Sequence, residues 1–228
     1  SKMYCNPTRA DARRRQMHVD MPLSSCYIQI MNCTKSESVV LAELTRLLRE
    51  QGKILIAVDG NAASGKSTLA ARLSAYFAPQ CSVNVFHMDD FFLPPALRTP
   101  ERLGEPGGNV HYERFRDEVL AGLASGAPFS YGVFDCSVMA LTHRVTVQPA
   151  ALSIVEGAYS MHPYFRAPYD LRIFMSASAE TQRTRILARN GASMLTRFET
   201  IWIPMENAYF SAFRIREQCD FVLHAEDF

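Results

Sequence analysis

The fold turns on Lys53-Ile54-Leu55-Ile56-Ala57-Val58-Asp59-Gly60-Asn61-Ala62-Ala63-Ser64-Gly65-Lys66-Ser67-Thr68. Residues 53–59 form a short, nearly continuous apolar run bounded by glycines, the pattern of a strand buried on both faces of a parallel sheet. The next eight residues, Gly60 to Ser67, fit G-x-x-x-x-G-K-[ST] in full. A helix opens directly after them, with Leu69, Leu73 and Tyr76/Phe77 on one face over residues 67–77. Each position has a physical task. Gly60 and Gly65 let the backbone turn so that successive N–H groups of Asn61, Ala62, Ala63, Ser64 and Thr68 can wrap a phosphate, and the helix N-terminus adds partial positive charge. Lys66 is placed to reach the β/γ-phosphates and the Ser67 hydroxyl to sit on Mg²⁺, so ATP and Mg²⁺ are the expected ligands.

Outward from this stretch the strand-then-helix order repeats. Residues 82–87, 152–155, 171–175 and 221–223 read as four further strands, and helical spacing of apolar residues covers 37–51, 112–125, 179–190 and 198–216. Strands alternating with helices imply right-handed crossovers. The expected fold is α/β, a three-layer sandwich whose mostly parallel five-stranded central sheet carries helices on both faces. Residues 36–228 suffice for that domain, and residues 1–35, with Arg13, Arg14 and Arg15 among Pro, Ser, Asn and Cys, read as a poorly structured arm. Within it Tyr27-Ile28-Gln29-Ile30 has the alternation of a short edge strand. The loop from Leu93 to Asn109, rich in Pro and Gly, is long for a compact domain, and loops of that length are usually functional or mobile.

Composition bounds the function. The 228 residues carry 24 Lys+Arg against 23 Asp+Glu, so the basic excess of a nonspecific nucleic-acid binder is missing, and no stretch approaches the apolar length of a membrane span. Six cysteines are scattered without a C-x-x-C pair, so a reducing cytoplasm is the expected compartment. The expected partner is a small-molecule substrate, with neither nucleic acid nor membrane; self-association stays open.

A phosphate cradle alone does not separate ATPase, GTPase and small-molecule kinase, so the residues opposite the γ-phosphate matter. His87-Met88-Asp89-Asp90-Phe91-Phe92 ends the second strand and Val155-Glu156-Gly157 the third, and carboxylates at the C-terminal edge of a parallel sheet face the ligand crevice. Asp89 or Asp90 can take a proton from an attacking hydroxyl or water, with only one expected to face the phosphate; Glu156 is placed to hold Mg²⁺ through water or to contact substrate. In residues 181–190, Arg185 and Arg189 are four apart and share a helical face, where fixed cations could stabilise charge on a transferring phosphoryl group.

Taken together, residues 59–67, Asp89-Asp90-Phe91-Phe92, Val155-Glu156-Gly157 and Asp170-Leu171-Arg172-Ile173-Phe174 resemble the uridine kinase and phosphoribulokinase group of P-loop kinases, and Trp202 to Phe210 resembles its small bacterial uridine-kinase-like members. The resemblance covers about residues 38–225 and implies Mg-ATP-dependent transfer of the γ-phosphoryl group to a hydroxyl of a small molecule. It implies a P-loop NTPase sandwich with a small lid around 183–200, and it maps the catalytic base onto Asp89 and the lid arginines onto Arg185 and Arg189; Mg²⁺ on Ser67 would have acidic help from Asp89 or Glu156. Departures leave the acceptor open. Asn109-Val110-His111-Tyr112-Glu113 stands where uridine kinases carry an Asp that grips ribose, and Phe134-Asp135-Cys136 keeps one of two base-flanking aromatic rings. His111, Tyr112, Phe134 and Glu156 are the candidate substrate contacts. A nucleoside is the first acceptor, pantothenate or a sugar the second, and a nucleotide-dependent NTPase switch without a small acceptor is the alternative from another class.

Overall fold

The computed structural model describes residues 35–228. Its elements run α1 (Lys35–Gln51), β1 (Ile54–Gly60), α2 (Lys66–Phe77), β2 (Val83–His87), α3 (Pro100–Gly104), α4 (Tyr112–Phe115), α5 (Ala121–Ser125), β3 (Phe129–Asp135), β4 (Ala140–Val147), β5 (Leu152–Glu156), β6 (Leu171–Ser176), α6 (Ala179–Asn190), α7 (Ala192–Arg197), α8 (Ile203–Phe213) and β7 (Phe221–His224). Five strands form one parallel sheet in the order β2-β5-β1-β6-β7. All five strands expected from the apolar runs are present. The candidate edge strand at 27–30 and the arm before it lie outside the described residues.

Alternation along β1 builds the layers. Ile54, Ile56 and Val58 enter one core with Val40, Leu44 and Leu47 of α1 and Leu69, Leu73 and Phe77 of α2. Ala57, with Leu55 packed alongside, enters the opposite core with Phe86, Phe91, Phe115, Tyr131, Val155 and Tyr209. Each fully buried Leu, Ile or Phe contributes roughly 1.5–3 kcal/mol relative to exposure, so two such cores on opposite faces fix the three-layer arrangement.

Three features depart from the sequence expectations. Residues 129–147 form an antiparallel hairpin, β3 with β4, outside the main sheet. Its turn carries Met139 at φ 56°, where a hairpin usually advertises itself with Gly or Asn, and β4 is mostly exposed. The helix expected over 198–216 is a π turn at Phe198–Trp202 followed by α8 and ending at Phe213, where Arg214 adopts a left-handed conformation. The helix expected over 112–125 likewise carries a π turn, Arg116–Leu120, between α4 and α5.

The long loop after Leu93 is tied down. Arg102 donates to Gly108 O (3.0 Å), Val110 O (3.0 Å) and both carboxylate oxygens of Glu113 (2.7 and 2.9 Å), and its guanidinium lies 3.7 Å over the Tyr112 ring. Among the described residues no helix is long and apolar enough to cross a membrane.

Candidate active site

Asp59 is the last residue but one of β1, and the phosphate loop leaves from Gly60 after it. Gly60 has φ 138° and Gly65 φ 98°, conformations L side chains resist, and at Gly60 the chain passes so close to β6 that a Cβ would sit 2.1 Å from Met175 O. Ala63 also takes a positive φ, 55°. The four residues between the glycines are each held or enclosed. Asn61 N–H donates to Met175 O (3.0 Å), and its side-chain Oδ1 accepts Ala177 N–H (3.1 Å). Ala62 N–H donates to Glu206 (2.9 Å), and Ala63 O accepts Arg185 Nη1 (3.2 Å). Ser64 is buried, and among the described residues its Oγ has no hydrogen-bond partner.

Lys66 Nζ donates to Gly60 O (2.8 Å) and Asn61 O (2.7 Å), which holds the ammonium over the loop. The Ser67 hydroxyl lies 3.0 Å from both carboxylate oxygens of Glu156 at the end of β5. Glu156 is buried and bonded through Oε1 to His87 Nδ1, its register partner on β2. The Ser67 hydroxyl and the Glu156 carboxylate are hard oxygen donors of the kind Mg²⁺ takes together with substrate phosphates, although among the described residues no group of three or more His, Cys, Asp or Glu side chains is gathered to hold a metal ion by itself. His87 was not singled out in the sequence, although it stands two residues before Asp89.

A cavity of about 1,260 Å³ opens on the phosphate loop; Glu156 is bonded to Ser67 but is not among its lining residues. Ala62 through Thr68 line it, with Asp89 and Asp90 from the β2 end, Arg185 and Arg189 from α6, and Glu206 from α8. The hairpin adds Val133, Phe134, Asp135, Cys136, Ser137, Thr142 and His143. Asp89 is exposed whereas Asp90 is buried, with its carbonyl taken by Arg114 (2.6 Å). Arg185 reaches both Ala63 O and Ala225 O (2.8 Å), so it ties the loop to the chain after β7, and Arg189 stays on the cavity wall. His111 and Tyr112 lie outside this lining. His111 precedes α4, and Tyr112 stacks on His162 with ring centroids 4.5 Å apart, beneath Arg102.

Two buried acids complete the loop's surroundings, and the motif reading had given neither a role at the site. Asp59 accepts Gly60 N–H (2.8 Å), Met161 N–H (3.1 Å) and the Tyr209 hydroxyl (2.8 Å); burial pushes its pKa up to about 6 against these three bonds. Glu206 is pushed up to about 7, chiefly by burial and against the pull of Lys66. Tyr209 is fully buried in the core and also places its hydroxyl on Asp59.

No protein-family model matches the chain, and no curated protein sequence does. Solved structures do. A protein described as a possible uridine kinase from Bacillus stearothermophilus superposes with a TM-score of 0.57 at 20% identity, covering 75% of this chain and 88% of that one. One assigned as a fructose transport system kinase from Silicibacter sp. TM1040 gives 0.61 at 23%, over 80% and 98%. The D-glycerate 3-kinase of Cryptococcus neoformans gives 0.61 at 14%, over 85% and 97%. The chain therefore has the P-loop kinase-like fold, a five-stranded parallel sheet flanked by helices.

Proposed function

We propose that this protein is an ATP-dependent small-molecule kinase that transfers the γ-phosphoryl group to a hydroxyl of an uncharged polyol, a nucleoside of the uridine or cytidine kind first and a sugar second. The observation that carries it is the single cavity bringing together the loop of Lys66 and Ser67, the exposed Asp89 and the arginines of α6. ATP phosphates would lie on the loop from Gly60 to Thr68, against Lys66. Ser67, Glu156 and Asp89 would hold Mg²⁺, which when bound would offset the negative charge of the phosphates.

In this reading Asp89, which is exposed and lines the cavity, accepts the proton of the attacking hydroxyl. Lys66, Arg185 and Arg189 oppose the negative charge that gathers on the transferring group. The acceptor class follows from charge. The cationic lining residues, Lys66, Arg72, Arg185 and Arg189, come from the phosphate loop and the helices α2 and α6. The hairpin contributes Asp135, Ser137, Thr142 and His143 beside Phe134, and among the described residues it adds no Lys or Arg to the lining. An acceptor bearing a carboxylate or phosphate, pantothenate included, would meet Asp89, Asp90 and Asp135 there without a fixed cation from the hairpin; a neutral polyol can hydrogen-bond to the same groups.

The test is ATP consumption against uridine, cytidine, ribose, fructose, glycerate and pantothenate, with Lys66→Ala as control. Turnover that depends on a neutral polyol and vanishes in the control supports the proposal. ATP hydrolysis that no hydroxyl compound stimulates refutes it and favours a nucleotide switch.

A further inference from the structure

The phosphate loop is gripped from a helix more than a hundred residues away. On α8, Glu206 and Tyr209 stand three apart, hence on one face. That face lies against the start of the loop: Glu206 Oε2 accepts Ala62 N–H (2.9 Å) and Tyr209 donates to Asp59 (2.8 Å), which in turn accepts Gly60 N–H. The π turn at Phe198–Trp202 precedes α8 immediately. Such a turn inserts one residue and rotates everything after it by about 100° at 3.6 residues per turn. The helix is thereby re-phased before Glu206 arrives at the loop. Glu206 is 4% exposed, lines the phosphate cavity and has no part in the chemistry proposed above.

A buried carboxylate beside a cavity built for phosphates is costly unless it has a task. The geometry supplies one. Ala62 follows two residues after Gly60 and precedes the positive-φ Ala63, at the point where the loop reverses, and its N–H is the group Glu206 holds. We infer that Glu206 is a positioning residue for the phosphate loop: by accepting the Ala62 N–H it fixes the loop shape that receives nucleotide phosphates and couples that shape to α8. Glu206 acts through the loop backbone and does not touch the reacting atoms. This rests on the kinase reading only for the identity of the ligand.

Three variants separate the hydrogen bond from the charge. Glu206→Gln keeps an acceptor oxygen at the same reach and removes the charge. Glu206→Asp keeps the charge and falls short of Ala62. Glu206→Ala loses both. Hydrogen exchange of the peptide covering 60–68 in the free protein, and direct binding of Mg-ATP, are the two readouts. Exchange of that peptide should rise in Glu206→Asp and Glu206→Ala and stay near wild type in Glu206→Gln. The Kd for ATP should rise at least about tenfold in the first two, as expected for loss of a buried hydrogen bond to a charged group, and less than about threefold in Glu206→Gln. Unchanged exchange in Glu206→Asp overturns the inference, as does a Glu206→Gln variant as impaired as Glu206→Asp. If Glu206→Ala fails to fold, the Asp and Gln pair still decides. Protected exchange with no ATP binding by the wild type would leave the latch standing and refute the kinase reading instead.

Discussion

Replacing Gly60 by alanine, with Gly52→Ala as its control, tests whether the approach of the phosphate loop to β6 is what requires glycine. Both positions have positive φ, 138° and 73°, so both variants carry backbone strain. They differ in space. A Cβ at Gly52 meets nothing within 4 Å, whereas one at Gly60 would lie 2.1 Å from Met175 O and 2.7 Å from Met175 N. Those are backbone atoms of a central strand that cannot rotate away, so β1 and β6 would have to part by roughly 1 Å where Gly60 pairs with Met175, next to the Asn61 N–H bond to Met175 O. Overpacking of this kind costs about 1–3 kcal/mol and the strained φ adds on the order of 1–3 kcal/mol. With about 2–4 °C per kcal/mol for a chain of this size, Gly60→Ala should lower Tm by roughly 10 °C, and Gly52→Ala, with strain near 1 kcal/mol, by about 3 °C. Thermal denaturation measures this directly. Repeating it in saturating Mg-ATP should raise the wild-type Tm and leave Gly60→Ala unmoved. A Gly60→Ala protein melting within a degree or two of Gly52→Ala, or one that keeps the ATP-induced shift, would refute the reasoning.

Asp89→Asn should lower phosphotransfer by about 10²–10⁴-fold while leaving Tm within about 1 °C, because Asp89 is exposed; retained turnover with the true acceptor would remove it as the base. Asp59 and Glu206 are both raised above their ordinary values, to about 6 and about 7, so the folded state holds their protons more tightly than the unfolded chain. The stability they contribute is complete below about pH 4 and lost as pH rises through 6–7, a fall on the order of a few kcal/mol that chemical denaturation at pH 4.5 and 7.5 would measure and Glu206→Gln would flatten. Glu226, held down to about 2 by Thr181 and Ser178, titrates below that window. Arg102→Ala removes the guanidinium that ties Gly108, Val110 and Glu113, so limited proteolysis should cut within 93–109 several times faster; an unchanged digestion pattern would mean the loop is held by other contacts.

Much of the fold was legible in order along the chain because its signals are local. Each of the five strands is a short apolar run, and the loop between β1 and α2 is a fixed spacing of glycine, lysine and serine. The hairpin of 129–147 was harder, since Met139 occupies the positive-φ turn position without the usual Gly or Asn and β4 faces solvent. Its alternation of Leu141, Val145 and Val147 was the available signal. At the site, Ala62 to Thr68, Asp89, Arg185, Arg189 and Phe134, each in or beside a recognisable block, come together on one cavity, and Glu156 bonds to Ser67. His111 and Tyr112, named on the same grounds, fall outside the cavity because Arg102 and His162 hold Tyr112 against another part of the surface.

The sequence by itself determined that this chain builds a parallel sheet around a phosphate loop, because strand burial and helix initiation are properties of neighbouring residues. Only the tertiary structure decided which distant groups meet that loop. Glu206 is 144 residues from Ala62 and Tyr209 is 150 from Asp59, and they arrive there because the strand order puts β6 beside β1 and a π turn sets the phase of α8. No periodicity records such a meeting, since the hydrogen bonds that define it form only after the crossovers have closed and the two cores have packed.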